Sequence, residues 1–556
     1  MENFLLLSAA VLCGVAAILS LFGHTDRVKK LVAISWSLSV LMIVLSVALM
    51  ISYQVSSNFE YQYIYSHTSL NTDLIYKISS LWSGQEGSFL LWALILGIMG
   101  FLILPWKGVW VHKSFGIYSA ICFCIFMMCY IIKPFAKMEW IPLDGLGLNE
   151  ALKDPWMVIH PPLVFISYSA MAILFSLSAA LKEDSDPSII LLIRKWQRVS
   201  LFFLGIGILS GSIWAYRALG WGGYWAWDPI ENAALVPWLI LCGLLHRKEY
   251  HGKSNCIVPF SIACFGVFLA RSGILKDQSA HAYTEGNRIV TGIIIFFLLG
   301  VIIFLTTIKF RKKNIIKIKK RSFALDNRLM IYCIYGYAAL IFLATVAPII
   351  LKYNTPIAFY TTISIIFAIS YSLLLLLHDL EWLKKRNILM MLVSTLLIAG
   401  IIMLFASVRL WWLLLIWICL MPISLWLVYG FREKNIKYYL SHIGVLFLII
   451  GAISSSTLGK ETFVLVSADS ETVTIEEKNI PITEFTEKDT LIVTLPMKDL
   501  VIPCSNIVTT AQNDLLIPYS TKPLIMLFWI GGFMIICQPI FSFLSKLYSN
   551  YRYAKL

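Results

Sequence analysis

The sequence is short of charge, of paired thiols and of histidine. Only 14% of the 556 residues are charged and 59% are hydrophobic, and apolar runs of about 20 residues, each long enough to cross a bilayer, recur along it. A soluble enzyme is thereby excluded. The 11 cysteines include no C-x-x-C pair, and most sit inside apolar runs, so neither a disulfide framework nor a thiolate metal site is indicated. Only Cys504 lies in a clearly polar region. No cleavable leader is expected: Phe4 to Phe22 is apolar but has no basic start and no small-residue cleavage site, and reads as a first spanning helix. There is no evident inverted repeat of the kind that marks a secondary transporter.

What is present is an all-α polytopic membrane protein with about 15 transmembrane helices. The expected spans are 3–22, 31–53, 87–105, 114–133, 160–181, 199–216, 232–246, 256–275, 289–308, 329–351, 358–378, 388–406, 411–430, 440–458 and 523–545. Lysine and arginine concentrate in the loops after odd-numbered spans, from Arg27, Lys29 and Lys30 through KFRKKNIIKIKKR at 309–321 to the tail with Arg552 and Lys555. Short basic loops stay on the cytoplasmic side, which puts the N-terminus outside and the C-terminus inside. The formal charge of +14 is mostly this signal. Basic runs this short, flanking spans, fit lipid headgroups and make nucleic acid the weaker reading. Residues 459–521 depart from the pattern, with alternating runs TFVLV, TVTI and TLIVTLP, and read as a small external β-rich domain. The organisation expected is a membrane core over 1–458 with a tryptophan-rich loop at 217–232, the β-rich domain at 459–521, and a last helix with a basic tail over 522–556.

The loop WGGYWAWDP, residues 221–229, falls between the sixth and seventh spans. One indole at a membrane surface needs no special cause. Trp221, Trp225 and Trp227 together, with Gly222 and Gly223 permitting close backbone approach, make a platform suited to a large planar ligand. Asp228 has a local explanation, because Asp228-Pro229-Ile230-Glu231 spells an N-cap, a first-turn proline and a capping-box acid. A ligand contact for Asp228 is secondary to that.

Histidine is costly within or at the edge of a span, so its positions carry weight. His160 begins the fifth span in IHPPL, and His281 lies in the loop after the eighth, on the same side as the tryptophans. His246 ends the seventh span and His442 lies in the first turn of the fourteenth. Two imidazoles at similar depth on different helices can ligate one metal from opposite sides, as in bis-histidine haem proteins; each alone is as well explained as an interfacial histidine satisfied by a carbonyl. His24, His112 and His251 in basic loops, His378, and the external His67 read as solvated or interfacial.

LGWGGYWAWDPIENAALVPWL at 219–239 resembles the tryptophan-rich signature of the haem handling proteins of cytochrome c maturation, and its DPIENA continuation resembles the CcmF group, the large haem lyase subunit of the multi-component pathway. LWSGQEGSFLLW at 81–92, HPPL at 160–163, RSG at 271–273, HAY at 281–283, SHIGV at 441–445 and KPLIMLFWIGG at 522–532 agree in order. The resemblance implies an inner-membrane protein that takes haem from a periplasmic haem chaperone and promotes its thioether attachment to the CxxCH cysteines of apocytochrome c. A thiol-reducing, apocytochrome-presenting partner is implied with it. His160 and His281 would be axial ligands of the substrate haem, and the tryptophan loop would hold its macrocycle. His246 and His442 would ligate a permanently bound haem b that helps keep the substrate iron reduced. Propionates need cationic partners, for which Arg217 and Arg271 are the candidates. The client brings the thiols, so a lyase without C-x-x-C is expected. Tyr224 and Ala226 stand where many relatives have bulkier aromatics. The competing readings are a haem exporter or delivery protein without ligase activity, a dedicated lyase for a multihaem nitrite reductase, and a membrane protein whose aromatics are only an interfacial belt.

Overall fold

The computed structural model describes residues 2–23, 25–106, 110–180, 187–218, 223–247, 256–271, 274, 325–352, 355–380, 410–429, 436–467, 470–476, 478–486, 490–510 and 514–537. Its helices are α1 (Glu2–Phe22), α2 (Asp26–Val55), α3 (Gln62–His67), α4 (Leu74–Ser79), α5 (Gln85–Gly100), α6 (Trp110–Ile131), α7 (Pro155–Ala180), α8 (Pro187–Ala218), α9 (Pro229–His246) and α10 (Val258–Arg271). They continue with α11 (Leu325–Leu351), α12 (Ile357–Leu380), α13 (Leu410–Tyr429), α14 (Ile436–Thr457), the single turn α15 (Thr483–Thr486) and α16 (Ile525–Cys537). Among the described residues nine helices are long and apolar enough to span a membrane, so this is a multi-pass protein. The expected spans at 289–308 and 388–406 lie outside the described residues.

Two compact units divide the chain. One holds residues 1–211, 227–322 and 334–356; the other holds 212–226, 323–333 and 357–556.

In the first unit, α1 meets its neighbours through a stripe of small side chains, Ala9, Ala10, Cys13, Ala16 and Ala17, all buried. Small residues let helix backbones approach closely enough for packing and polar contacts to replace the missing hydrophobic drive inside lipid. Ser39 Oγ donates to the Ala9 carbonyl at 2.6 Å, and the Cys13 thiol donates to the Ser119 carbonyl at 3.2 Å. Trp36 fills the space left by Gly100, where an added Cβ would come within 2.1 Å of its ring. Every cysteine is a free thiol, and Cys504, the one expected in polar surroundings, is buried.

In the second unit, α14 and α16 cross with their backbones in contact. A Cβ on Gly531 would lie 2.4 Å from the Gly444 carbonyl oxygen, and one on Gly451 would lie 2.3 Å from the Phe528 nitrogen. Gly444 and Gly531 belong to the motifs SHIGV and WIGG, so close helix approach is what those glycines supply. The β region folds as an antiparallel sheet in the order β1 (Glu461–Ser467), β7 (Asp514–Pro523), β5 (Lys498–Pro503), β4 (Thr490–Leu495). β6 (Val508–Thr509) adds to β7, and a separate hairpin joins β2 (Thr472–Ile475) to β3 (Lys478–Pro481). The three alternating runs expected to be strands are β1, β2 and β4. Val473 and Ile475 of β2, Leu491 of β4, Leu500 and Ile502 of β5 and Ile517 of β7 form a small separate core.

Candidate functional site

His160 is not at a helix start. Asp154 caps α7 by accepting the Trp156 amide at 2.8 Å, and Pro155 opens the helix, so His160 sits in the second turn with Pro161 and Pro162 inside the helix. An internal proline removes the hydrogen bond to the carbonyl four residues back. Here Pro161 leaves the Met157 carbonyl, and the indole of Trp82 donates to it at 3.3 Å. The imidazole is fixed from the other side: Nδ1 donates to the Gly207 carbonyl at 2.6 Å, and the ring lies so near α8 that a Cβ on Gly211 would come within 2.7 Å. With Nδ1 carrying the proton, the neutral ring has its lone pair on Nε2, the tautomer that ligates iron.

His246 ends α9, as expected. Its Nδ1 donates to the Cys242 carbonyl at 2.8 Å. The helix end beside it is capped by Arg194, which donates to the Leu244 carbonyl at 3.2 Å and to the Arg247 carbonyl at 2.6 Å. A guanidinium at a helix C-terminus answers carbonyls left without intrahelical donors. His442 lies in the second turn of α14, because the helix begins at Ile436, four residues before the expected start. It is buried, its Nδ1 is 2.7 Å from the Tyr371 hydroxyl, and the Trp426 ring centroid is 6.2 Å away. His281 lies outside the described residues. His67, expected to be solvated or interfacial, stacks on Tyr63 with ring centroids 4.3 Å apart and donates from Nδ1 to the Tyr63 carbonyl. His112 lies in α6, not in a loop.

Trp221 and Gly222 lie outside the described residues; Gly223, Tyr224, Trp225 and Trp227 are half-buried. The capping box read from the sequence is formed, with Asp228 accepting the Ile230 amide at 2.7 Å and the Glu231 carboxylate accepting the Asp228 amide at 3.1 Å. Trp227 takes a left-handed backbone, φ 58°, and Asn232 Nδ2 donates to its carbonyl at 3.0 Å. Asn232, inside the DPIENA motif, is therefore the residue that holds the end of the loop. Tyr224 packs against Phe528 with centroids 4.1 Å apart and planes tilted by 36°, which commits its ring to packing.

Arg271 is buried at the end of α10, where Nη2 donates to Ser88 Oγ at 2.7 Å and the guanidinium lies 5.1 Å from the Phe89 ring. Two of the motifs, RSG and LWSGQEGSFLLW, thus meet directly. The same 81–92 stretch reaches the His160 turn through Trp82. Arg217 is exposed in the last turn of α8. Among the described residues no three potential metal-ligating side chains cluster.

Residues 82–275 match the cytochrome c assembly protein family. The cytochrome c-type biogenesis protein NrfE of Haemophilus influenzae is 34% identical over 322 residues, 54% of this chain and 50% of that one. The biogenesis protein CcmF of Pseudomonas aeruginosa is 35% identical over 261 residues, 44% of this chain and 39% of that one. The solved structure of the cytochrome c haem lyase CcmF superposes with a TM-score of 0.69 at 17% identity, covering 97% of this chain and 96% of that chain, which shows a shared fold.

Residues 82–275 are thus similar to the cytochrome c assembly proteins, and the chain shares the fold of the solved CcmF structure.

In their alignments the chain spans about half, or less, of the length of these curated relatives. The matched stretch is also where sequence reasoning missed most. Trp82, Ser88, Gly207, Gly211 and Arg194 all support candidate residues; only the Gly207/Gly211 pair, spaced four apart on one helix, left a readable signal.

Proposed function

We propose that the chain is a haem lyase that joins haem to apocytochrome c outside the cytoplasmic membrane. The observation that carries this reading is the setting of His160, whose ring is clamped between a proline-broken turn of α7 and the glycines of α8 with its proton on Nδ1. A histidine that merely satisfied a carbonyl would not need a ring wedged against glycine backbone. An axial ligand that must hold its plane does. His281 would be its counterpart, Trp221, Trp225 and Trp227 with Gly222 and Gly223 would face the macrocycle, and Arg217 and Arg271 are the propionate candidates. The substrate haem reaches the site from a periplasmic chaperone, and a thiol-reducing partner presents the client.

In the joined product each client cysteine has added across a vinyl group, its sulfur bonded to one carbon and its proton to the other. The protein's part is proximity and orientation, which can supply several kcal/mol. Nothing in its own thiols is required. His246 and His442 fit a resident b-type haem as a donor set: each Nδ1 is engaged by an oxygen, and imidazole is the usual iron ligand at such centres. When bound, that group would supply reducing equivalents. The pairing of these two histidines rests on the sequence reading.

The test replaces His160 by Ala in cells expressing a CxxCH client and measures holocytochrome c. Yield is expected to fall by an order of magnitude or more, about the cost of losing orientation at a reacting centre. Normal yield at normal protein levels would remove the lyase assignment of this site. A delivery protein without ligase activity predicts haem transfer to another acceptor with no thioether product.

A further inference from the structure

Residues 212–226, 323–333 and 357–556 form one compact unit, and within it the tryptophan loop is gripped at two points. At its entrance the buried Tyr216 donates its phenol proton to Asp499 Oδ2 at 3.0 Å, and its ring meets Trp529 edge-on at 5.6 Å. Asp499 stands on β5, opposite Thr494 of β4 on one side and Lys522 of β7 on the other. Further along, Tyr224 packs its ring, tilted by 36°, against Phe528 of α16 and donates to the Ala452 carbonyl of α14 at 3.4 Å. Val501, Ile525 and Phe528 close an apolar cluster around Tyr216. Trp225 is the residue directly after the second grip.

We propose that the β region is the positioning device for Trp225, with the Tyr216–Asp499 hydrogen bond as its fixed point and the Tyr224–Phe528 ring contact as its second. The proposal rests on the haem reading of the loop given above. A buried carboxylate is costly unless hydrogen-bonded, so Asp499 holds its place only with a donor such as the phenol. Burial pushes its carboxyl above the usual carboxylate range, and the hydrogen bonds from Tyr216 and Thr494 pull it back. A stable anchor on a sheet paired on both sides is a better reference for an indole than a loop joining two helices. Tyr216 and Asp499 are thus positioning residues; neither needs to touch the ligand.

The experiment uses the full-length protein in detergent with Tyr216→Phe, Asp499→Ala, Asp499→Asn and the Tyr216→Phe/Asp499→Ala double variant. Haemin is titrated in, and the Soret band above that of the protein as purified is recorded. Separately, without added haemin, the rate of tryptic cleavage after the exposed Arg217 is measured. Tyr216→Phe and Asp499→Ala are expected to weaken haemin uptake roughly tenfold, the worth of one buried hydrogen bond to a carboxylate, and to speed cleavage. The double variant should be no worse than Asp499→Ala, since both remove one bond. Asp499→Asn keeps an acceptor oxygen and should stay within about twofold of the parent. Unchanged cleavage in both single variants, or a fall with Asp499→Asn as deep as with Asp499→Ala, overturns the clamp. A parent protein that takes up no haemin while cleavage responds as expected overturns the haem reading and leaves the clamp standing. Should Asp499→Ala not fold, Tyr216→Phe alone decides.

Discussion

At Trp227 the chain holds a large side chain in a left-handed backbone that L-residues other than glycine seldom adopt, at a cost of order 1–3 kcal/mol. Asn232 and the Asp228 cap are what hold it there. The cap was legible because it is local: four consecutive residues spell an N-cap, a proline and an acid. The left-handed turn was not, since it depends on an amide five residues away accepting no rule of spacing. If the acid at 228 serves the helix, Asp228→Asn, which still accepts the Ile230 amide, should leave thermal stability and holocytochrome yield near the parent. Asp228→Ala should lower stability by about 1 kcal/mol, the usual worth of a cap. Thermal unfolding with a client-yield assay separates the cases; a collapse of yield in Asp228→Asn at full stability would make the carboxylate a ligand contact instead.

Helix boundaries show where sequence reading gains and loses. The same Asp-Pro signature that marks α9 also opens α7 at Asp154-Pro155, and expecting the helix to start at the later IHPP prolines displaced His160 by a turn. Hydropathy could not arbitrate, because the first turn of α7 is half-exposed. The contact of α14 with α16 was likewise hidden in ordinary-looking glycines. Gly531→Ala would drive a methyl into the Gly444 carbonyl, and overpacking of that kind costs typically about 1–3 kcal/mol or more. A sharp drop in the denaturation temperature of the purified protein is expected, larger than for Gly336→Ala, where an added Cβ meets nothing within 4 Å. In the segment between α2 and α5, burial holds the His67 imidazole below its usual value, with the hydrogen bond to the Tyr63 carbonyl acting the other way. A depressed histidine is neutral in the fold and charged in the unfolded chain, so its contribution is present above the ordinary pKa of 6.5 and is lost as pH falls below that through the folded value. Protection of this segment from proteolysis should therefore weaken as pH falls below 6.5, and His67→Phe should flatten that dependence.

Over the whole molecule, the multi-pass character and the β region were legible from composition and alternation, since both are repeated patterns that average out local error. The supports of each histidine were not, because a carbonyl such as Gly207's or a hydroxyl such as Tyr371's has no address in a linear pattern. The pairing of His246 with His442 is the claim that reaches furthest across the chain, and it is the most exposed to test. Iron has two axial positions and a b-type haem has no covalent tether, so loss of either imidazole removes much of what holds the group. Reduced-minus-oxidised spectra of the purified parent should show a b-type signal, weakened or abolished in His246→Ala and in His442→Ala. Tyr371→Phe keeps the imidazole and removes only its hydrogen-bond partner, so the signal should remain while its midpoint potential rises, because a ligand that no longer gives up Nδ1 proton density to an oxygen is a poorer donor. Full signals in both histidine variants would mean that His246 serves its Cys242 carbonyl and His442 its Tyr371 contact without holding iron.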